Sequence, residues 1–427
     1  MDKVAWEGAG SSLVFEGEVQ HMRQPELLAP AGDLEKLEAA LAYGADAVYL
    51  GGDHFGLRAL ASNFSLPQLK QAKDLVHAAG KKIYLTLNAS LRPAELAELN
   101  GYLEELRPLD LDAYIVADPG VFAAVRRVDP DREIHLSTQV NTTNGAAAEF
   151  WRAAGGKRVN LARELSLEEI RAVRATTTAE IEVFVHGAQC VAYSGRCLLS
   201  AALVDRSANS GLCAQSCRWR YALMEEKRPG QYLSIEEDSR GSYIMNSRDL
   251  CLIDYLPQLV EAGVDSFKIE GRMKGRYYVA AVTRVYRAAL DCYLADPAGY
   301  RCDPVWRQEL EKISHRPYGN GFLTEAQDAQ VHSSDSIYRR SYDFVGVVLS
   351  LGENGRGLVE GRNRFFPGED LELIGPGMRQ ATFCVGSLAS EKELPLTVAQ
   401  PNARILMQLP SGSQPGDLLR RPVASTD

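Results

Sequence analysis

Four of the eight cysteines stand close together in the chain. Cys190, Cys197, Cys213 and Cys217 follow the spacing Cys-x6-Cys-x15-Cys-x3-Cys on a stretch rich in Gly and Ser. Thiolates are soft, anionic ligands, and four on one loop can converge on a single metal centre, as in iron–sulfur clusters. Structural zinc more often sits between two tight Cys-x2-4-Cys knuckles. The six residues inside the first pair therefore put a cluster ahead of zinc, with zinc and unrelated thiols left open. Cys251, in Arg248-Asp249-Leu250-Cys251, is a fifth candidate, read otherwise as a small buried hydrophobe on a helix face. Cys292, Cys302 and Cys384 read as core residues.

The elements that must carry these thiols alternate regularly. Short apolar runs at 26–29, 47–50, 83–87, 113–116, 134–137, 159–162, 181–185 and 266–269 are separated by stretches of helical periodicity. Asp33 reads as the cap of a helix with Leu34, Leu37 and Leu41 on one face, stopped by Gly44. Ser65 opens another, with Pro67 in its first turn and Leu69, Ala72 and Val76 inward. Eight strand–helix units in series predict a (β/α)8 barrel, and no Gly-x-Gly-x-x-Gly follows the first strand to suggest a dinucleotide fold. About 80 residues separate the seventh and eighth strands, against roughly 15 to 30 elsewhere, and this long insertion holds the cysteines. In a barrel it lies on the C-terminal face, where active sites are built.

The domain reading is a flexible extension over 1–24, a barrel over 25–295, a connector over 296–340 and a small all-β domain over 341–427. A chain of 427 residues, 45% hydrophobic and 24% charged, suits a large barrel plus a small module. The net charge of −9 excludes polyanion binding through overall charge, so a nucleic-acid site must be a local basic patch. The opening residues lack an apolar leader, and no run approaches the roughly 20 apolar residues that span a bilayer. A cytoplasmic location with no membrane partner is expected, where clustered thiols ligate metals more often than they form disulfides.

Several motifs resemble the collagenase-like peptidase family U32. They are Glu182-Val-Phe-Val-His-Gly-Ala-Gln-Cys190, Tyr193-Ser-Gly-Arg-Cys197-Leu-Leu-Ser200 and Arg206-Ser-Ala-Asn-Ser-Gly-Leu-Cys213-Ala-Gln-Ser-Cys217-Arg-Trp219. Outside the cysteine region, Glu26-Leu-Leu-Ala-Pro-Ala-Gly32, Met245-Asn-Ser-Arg-Asp-Leu250 and Phe267-Lys-Ile-Glu-Gly-Arg-Met-Lys274 are similar too. The likeness runs over roughly 25 to 325, and the C-terminal module resembles the family's small β domain. Length and the Lys268-to-Lys274 block look most like the family's tRNA-hydroxylation branch. That resemblance implies 5-hydroxyuridine formation at the wobble position, with prephenate as oxygen source. It also implies a 4Fe–4S cluster on Cys190, Cys197, Cys213 and Cys217. A relative that uses a more distant cysteine keeps Cys251 in view as a replacement for Cys217.

The implied substrates direct attention to particular side chains. A uridine splayed from the tRNA anticodon loop needs basic and aromatic surface near the barrel mouth. Arg218, Trp219, Arg220, Lys268, Arg272, Lys274, Arg276, Tyr277 and Tyr278 are candidates, set against a reading as helix start and core tyrosines. Arg420 and Arg421 of the C-terminal module are further phosphate candidates. The two carboxylates of prephenate call for Arg or Lys. Arg163 and Arg272 follow barrel strands, and Asn88, Gln139 and Lys274 can line the same pocket. His186 and Glu270 are the candidate catalytic acid–base groups, although Glu270 also reads as an ion-pair partner of Arg272. Two alternatives remain: a collagenase-like peptidase using His186 with Cys190, and a non-catalytic iron–sulfur accessory protein for another hydroxylase. No His-Glu-x-x-His or Gly-x-Ser-x-Gly motif supports the peptidase. The sequence leaves the oligomeric state open.

Overall fold

The computed structural model describes residues 24–57, 63–190, 192–208, 211–218, 236–238, 241–243, 248–324 and 338–423. The proposed extension before residue 24 lies outside them, as do Trp219, Arg220 and the Arg218 side chain.

Seven strands alternate with helices: β1 (Glu26–Pro30), α1 (Leu34–Ala42), β2 (Ala47–Gly51), α2 (Leu66–Ala78), β3 (Lys82–Leu87), α3 (Pro93–Leu106), β4 (Ala113–Val116), α4 (Pro119–Val128), β5 (Glu133–Leu136), α5 (Gly145–Ala154), β6 (Arg158–Asn160), α6 (Leu167–Thr176) and β7 (Glu180–Ala188). The insertion then carries α7 (Leu199–Val204), β8 (Glu236–Asp238), β9 (Gly241–Tyr243) and β10 (Asp249–Cys251). After α8 (Leu256–Glu261), the eighth barrel strand is β11 (Ser266–Ile269). Strands β1 to β7 and β11 run parallel in chain order, and β11 pairs with both β1 and β7. The sheet is thus a closed parallel barrel, as the alternation predicted.

Local chemistry sets the helix ends. The Asp33 carboxylate accepts the Lys36 amide at 2.9 Å, satisfying a donor in the first turn of α1, and Gly44 leaves that helix at φ +103°. Ser65 and Gln68 form a capping box on α2. Leu37, Leu69, Ala72 and Val76 all turn inward, completely buried against the barrel.

Strand β7 is longer than its neighbours and continues past the barrel. There β10 joins it antiparallel, with Cys251 opposite His186, and β12 (Tyr318–Gly319) extends the same sheet. Residues 296–340, expected as a connector, therefore contribute a strand to the barrel's sheet as well as α10 (Pro304–Glu311).

The C-terminal strands are β13 (Tyr342–Leu351), β14 (Arg356–Gly361), β15 (Asp370–Ile374), β16 (Gln380–Cys384), β17 (Leu388–Ser390), β18 (Pro395–Leu396), β19 (Arg404–Gln408) and β20 (Leu418–Pro422). They form one antiparallel sheet in the order β16-β15-β20-β13-β14-β19-β17-β18. Its own core includes Val345, Val359, Phe365, Leu371 and Ile405. Val347, Ile374 and Leu418 instead pack into the barrel's core, against α9 (Arg276–Ala295) and its neighbours. Tyr43 donates to the Ile374 carbonyl at 3.1 Å across this junction.

Buried charge completes the junction and corrects one expectation. Arg420 does not face phosphates: it is completely buried, 2.8 Å from Glu309 and 2.7 Å from Glu372, and it donates to the Tyr277 hydroxyl at 3.1 Å. Leaving a guanidinium buried without such partners would cost several kcal/mol, of order ~3–5. Arg421 pairs with Glu369 at 2.7 Å. Cys292 and Cys384, expected in the core, are exposed. Among the described residues, no helix is long and apolar enough to cross a membrane.

Candidate functional site

Strand order brings several of the sequence-predicted residues to the C-terminal mouth. Asn88 follows β3, Gln139 sits in a short turn after β5, Arg163 follows β6, and Glu270 and Arg272 follow β11. Asn88 donates to Ser137 Oγ and to Gln139 Oε1, both at 3.3 Å, and its own Oδ1 accepts the Leu57 amide at 3.2 Å. Ser137 Oγ donates to the same Gln139 oxygen.

Next to this group, Arg163 places its guanidinium 3.9 Å over the Phe184 ring, donates to the Ala188 carbonyl at 3.2 Å and lies 3.5 Å from the Glu270 carboxylate. Glu270 thus forms an ion pair with Arg163. Arg272 points back into the barrel top, almost fully buried, bonding Thr86 Oγ1 at 3.0 Å and Asn63 Oδ1 at 2.7 Å. Its guanidinium lies against Gly51, where a Cβ would come within 2.4 Å. Glycine is what lets the arginine cross there.

The cysteine loop lies over this face. Gly195, between Cys190 and Cys197, rests on the aliphatic stem of Gln139: a Cβ there would sit 3.1 Å from that of Gln139. Further along, the Ala214 amide donates to Ser200 Oγ at 2.9 Å, tying the Cys213–Cys217 segment to α7. All four thiols are free of disulfides; Cys190 and Cys213 are exposed, Cys197 and Cys217 half-buried. Among the described residues, no three ligating side chains meet at one point. Cys251 lies on strand β10 instead of a helix, packed against the core, and burial pushes its thiol up to about 11. That protonated, enclosed thiol suits the small-hydrophobe reading.

The profile of Peptidase family U32 matches residues 32–333, and that of Peptidase family U32 C-terminal domain matches residues 340–420. The chain belongs to peptidase family U32. A relative from Bacillus subtilis, tRNA hydroxylation protein P1, is 39% identical over 415 residues, covering 96% of this chain and 98% of its own. The Escherichia coli 23S rRNA 5-hydroxycytidine C2501 synthase is 38% identical over 335 residues, 77% of this chain and 48% of its own. A Porphyromonas gingivalis protein named collagenase is 33% identical over 334 residues, 75% of this chain and 79% of its own.

Within this U32 chain, other sequence candidates take structural places. His186 is 1% exposed, enclosed by the rings of Tyr278, Tyr286 and Tyr318. Its Nδ1 and Nε2 each lie 3.4 Å from a tyrosine hydroxyl, those of Tyr286 and Tyr318. Burial pushes the imidazole down to about 3, against the opposing pull of Asp249. Both nitrogens face buried hydroxyls inside the protein and not the mouth. The structure thus places His186, expected as a catalytic group, in a packing position that joins β7 to α9 and β12. Lys268 is likewise no surface base. It sits inside the barrel, 2.7 Å from Glu182. Tyr277 and Tyr278 are core residues, Tyr278 donating to the Glu270 carbonyl at 2.8 Å. Lys274 keeps to the rim, bonded to the Ser314 carbonyl at 3.2 Å, with its ammonium 4.4 Å from the Tyr338 ring centroid.

Sequence reasoning missed Ser137, Thr86 and Asn63. Ser137 directly follows β5 and Thr86 lies one residue before the end of β3, close to the positions that singled out Asn88 and Gln139. Asn63 has no such signal, because only the fold brings it to Arg272.

Proposed function

We propose that this U32 protein is a tRNA-modifying hydroxylase that converts wobble uridine to 5-hydroxyuridine with prephenate as oxygen source. The observation that carries the reading is the full-length likeness to a relative named for tRNA hydroxylation, which spans barrel and β module alike. Proximity of the thiol loop to polar groups at the mouth supports it. Cys190, Cys197, Cys213 and Cys217 would hold a 4Fe–4S cluster, which supplies one-electron redox chemistry when bound. The donor set fits such a group in kind: four cysteines on one insertion, none of them in a disulfide. Closing the loop so that the sulfurs meet is part of the proposal.

The chain's own residues would do the binding. Arg163 can exchange its single long contact with Glu270 for a substrate carboxylate while the Phe184 ring holds the guanidinium plane. Lys274 offers a second cation at the rim. Arg272, already committed to Thr86 and Asn63, would shape the pocket by fixing the β2 and β3 ends instead of clamping an anion. The anticodon loop would lie over this mouth.

A collagenase-like reading fits the site less well. A thiol dyad needs a base facing the nucleophile, and His186 faces tyrosines inside the protein. An iron–sulfur accessory protein would contain the same cluster but would not bind tRNA tightly. Mass spectrometry of tRNA nucleosides from a deletion strain tests the proposal: 5-hydroxyuridine and its derivatives should disappear and return with the wild-type gene. Unchanged modification in a strain with no paralogue contradicts it.

A further inference from the structure

We infer that Gln139 reads the base to be modified, presenting two N–H donors that favour the C4 carbonyl of uracil over the C4 amine of cytosine. This rests on the RNA-hydroxylase reading and adds a specificity residue to it.

The inference follows from the direction of a hydrogen-bond chain that starts at the backbone. The Leu57 amide can only donate, so the Asn88 atom that meets it must be the oxygen. Asn88 then has only its NH2 group to offer on the other side, where it donates to Ser137 Oγ and Gln139 Oε1. Ser137 Oγ donates to that same Gln139 oxygen. With its oxygen accepting twice, Gln139 has its amide nitrogen left over, and among the described residues no group accepts from it. An amide's orientation is normally a choice between two similar shapes. Here the main chain makes that choice through Asn88.

The rest of the residue is held as well. Its carbonyl accepts from Asn141 Nδ2 at 2.8 Å, and Gly195, at φ +74°, packs on its stem. The residue is half-buried at the mouth, beneath the loop that carries Cys190 and Cys197. A donor-only edge at that place accepts a keto oxygen and turns away an amino group, which has no lone pair to offer. Splayed bases are read on such edges.

The test is fluorescence anisotropy with the full chain purified anaerobically. The probes are two anticodon-stem hairpins that differ only in carrying uridine or cytidine at the base to be modified. Wild-type protein should bind the uridine hairpin about tenfold more tightly, the discrimination typical of one well-placed base contact. Gln139→Glu turns the donor edge into an acceptor and should abolish or invert the preference. Asn88→Asp keeps Gln139 but removes the donor that orients it, so the preference should fall toward unity while uridine affinity changes less. Thermal melts matching wild type show that each variant is folded. A wild-type preference retained by Gln139→Glu, or equal wild-type binding of the two hairpins, overturns the assignment of Gln139 alone. Failure to bind either hairpin sinks the RNA reading and the assignment with it.

Discussion

At the N-terminal half of the barrel, Glu26, Arg158, Glu180, Glu182 and Lys268 satisfy one another inside the sheet. Arg158 lies 2.5 Å from Glu26 and 2.9 Å from Glu180, and Lys268, Asn160 and Ser266 all bond Glu182. At the C-terminal mouth the groups are looser. Arg163 and Glu270 are 3.5 Å apart, two of the four clustered thiols are exposed, and Gln139 keeps its donors unspent. One end closes its charges on themselves and holds the strands in place. The other holds its polar groups in longer contacts. A barrel separates stability from chemistry in this way, because its loops can change while its floor does not.

Breaking the closed end should have the largest effect. Lys268→Met leaves the buried Glu182 carboxylate short of its nearest cation and should destabilise the fold by about 3–5 kcal/mol, read by chemical denaturation. If stability changed by less than about 1 kcal/mol, the network would not be the structural floor described.

Acid sharpens the same contrast. The cations Lys268 and Arg158 overcome the burial of Glu182 and hold its carboxyl down to about 2. An unfolded glutamate titrates near ~4.3, so on acidification the unfolded chain takes up the proton first. The stabilisation is complete above that value and is lost as pH falls toward 2, on the order of 3 kcal/mol in all. His186 acts earlier. Its folded value of about 3 lies below the roughly 6.5 of an unfolded histidine, so stability falls as pH drops below that higher value. His186→Asn should lessen the slope of the stability–pH curve below about 6.5, leaving the share that the lowered His135 and His315 contribute. An unchanged slope would mean that the imidazole is not held neutral.

Disturbing the mouth should leave the fold nearly intact. Glu270→Gln weakens one long ion pair, with an expected stability change of about 1 kcal/mol or less. Its consequence should be seen in hydroxylation of tRNA. A variant that melted several degrees lower with full activity would reverse the roles assigned to the two ends.

The barrel was legible because each strand is a short apolar run and each helix an amphipathic repeat, as the capped helix after Asp33 illustrates. Polar residues at strand ends were legible too, which is how Asn88, Gln139 and Arg163 came to attention. Burial of long polar side chains was not. His186, Lys268 and Arg420 read as surface chemistry because their partners, Tyr318, Glu182 and Glu309, lie far away in sequence. A charged side chain that the fold neutralises looks the same in one dimension as one held out to a ligand. The exposed Cys292 and Cys384 show the converse error, since a thiol's apolar character does not say which way its strand or helix faces.

Iron and acid-labile sulfide in anaerobically purified protein, measured for single Cys→Ser variants, test the claim that the insertion over the mouth holds a 4Fe–4S cluster. Wild type should be brown with about four of each per chain. Changing Cys190, Cys197, Cys213 or Cys217 should strip most of the iron, and changing Cys251 should not. A colourless protein with stoichiometric zinc, or iron that survives loss of any of the four, would contradict the account.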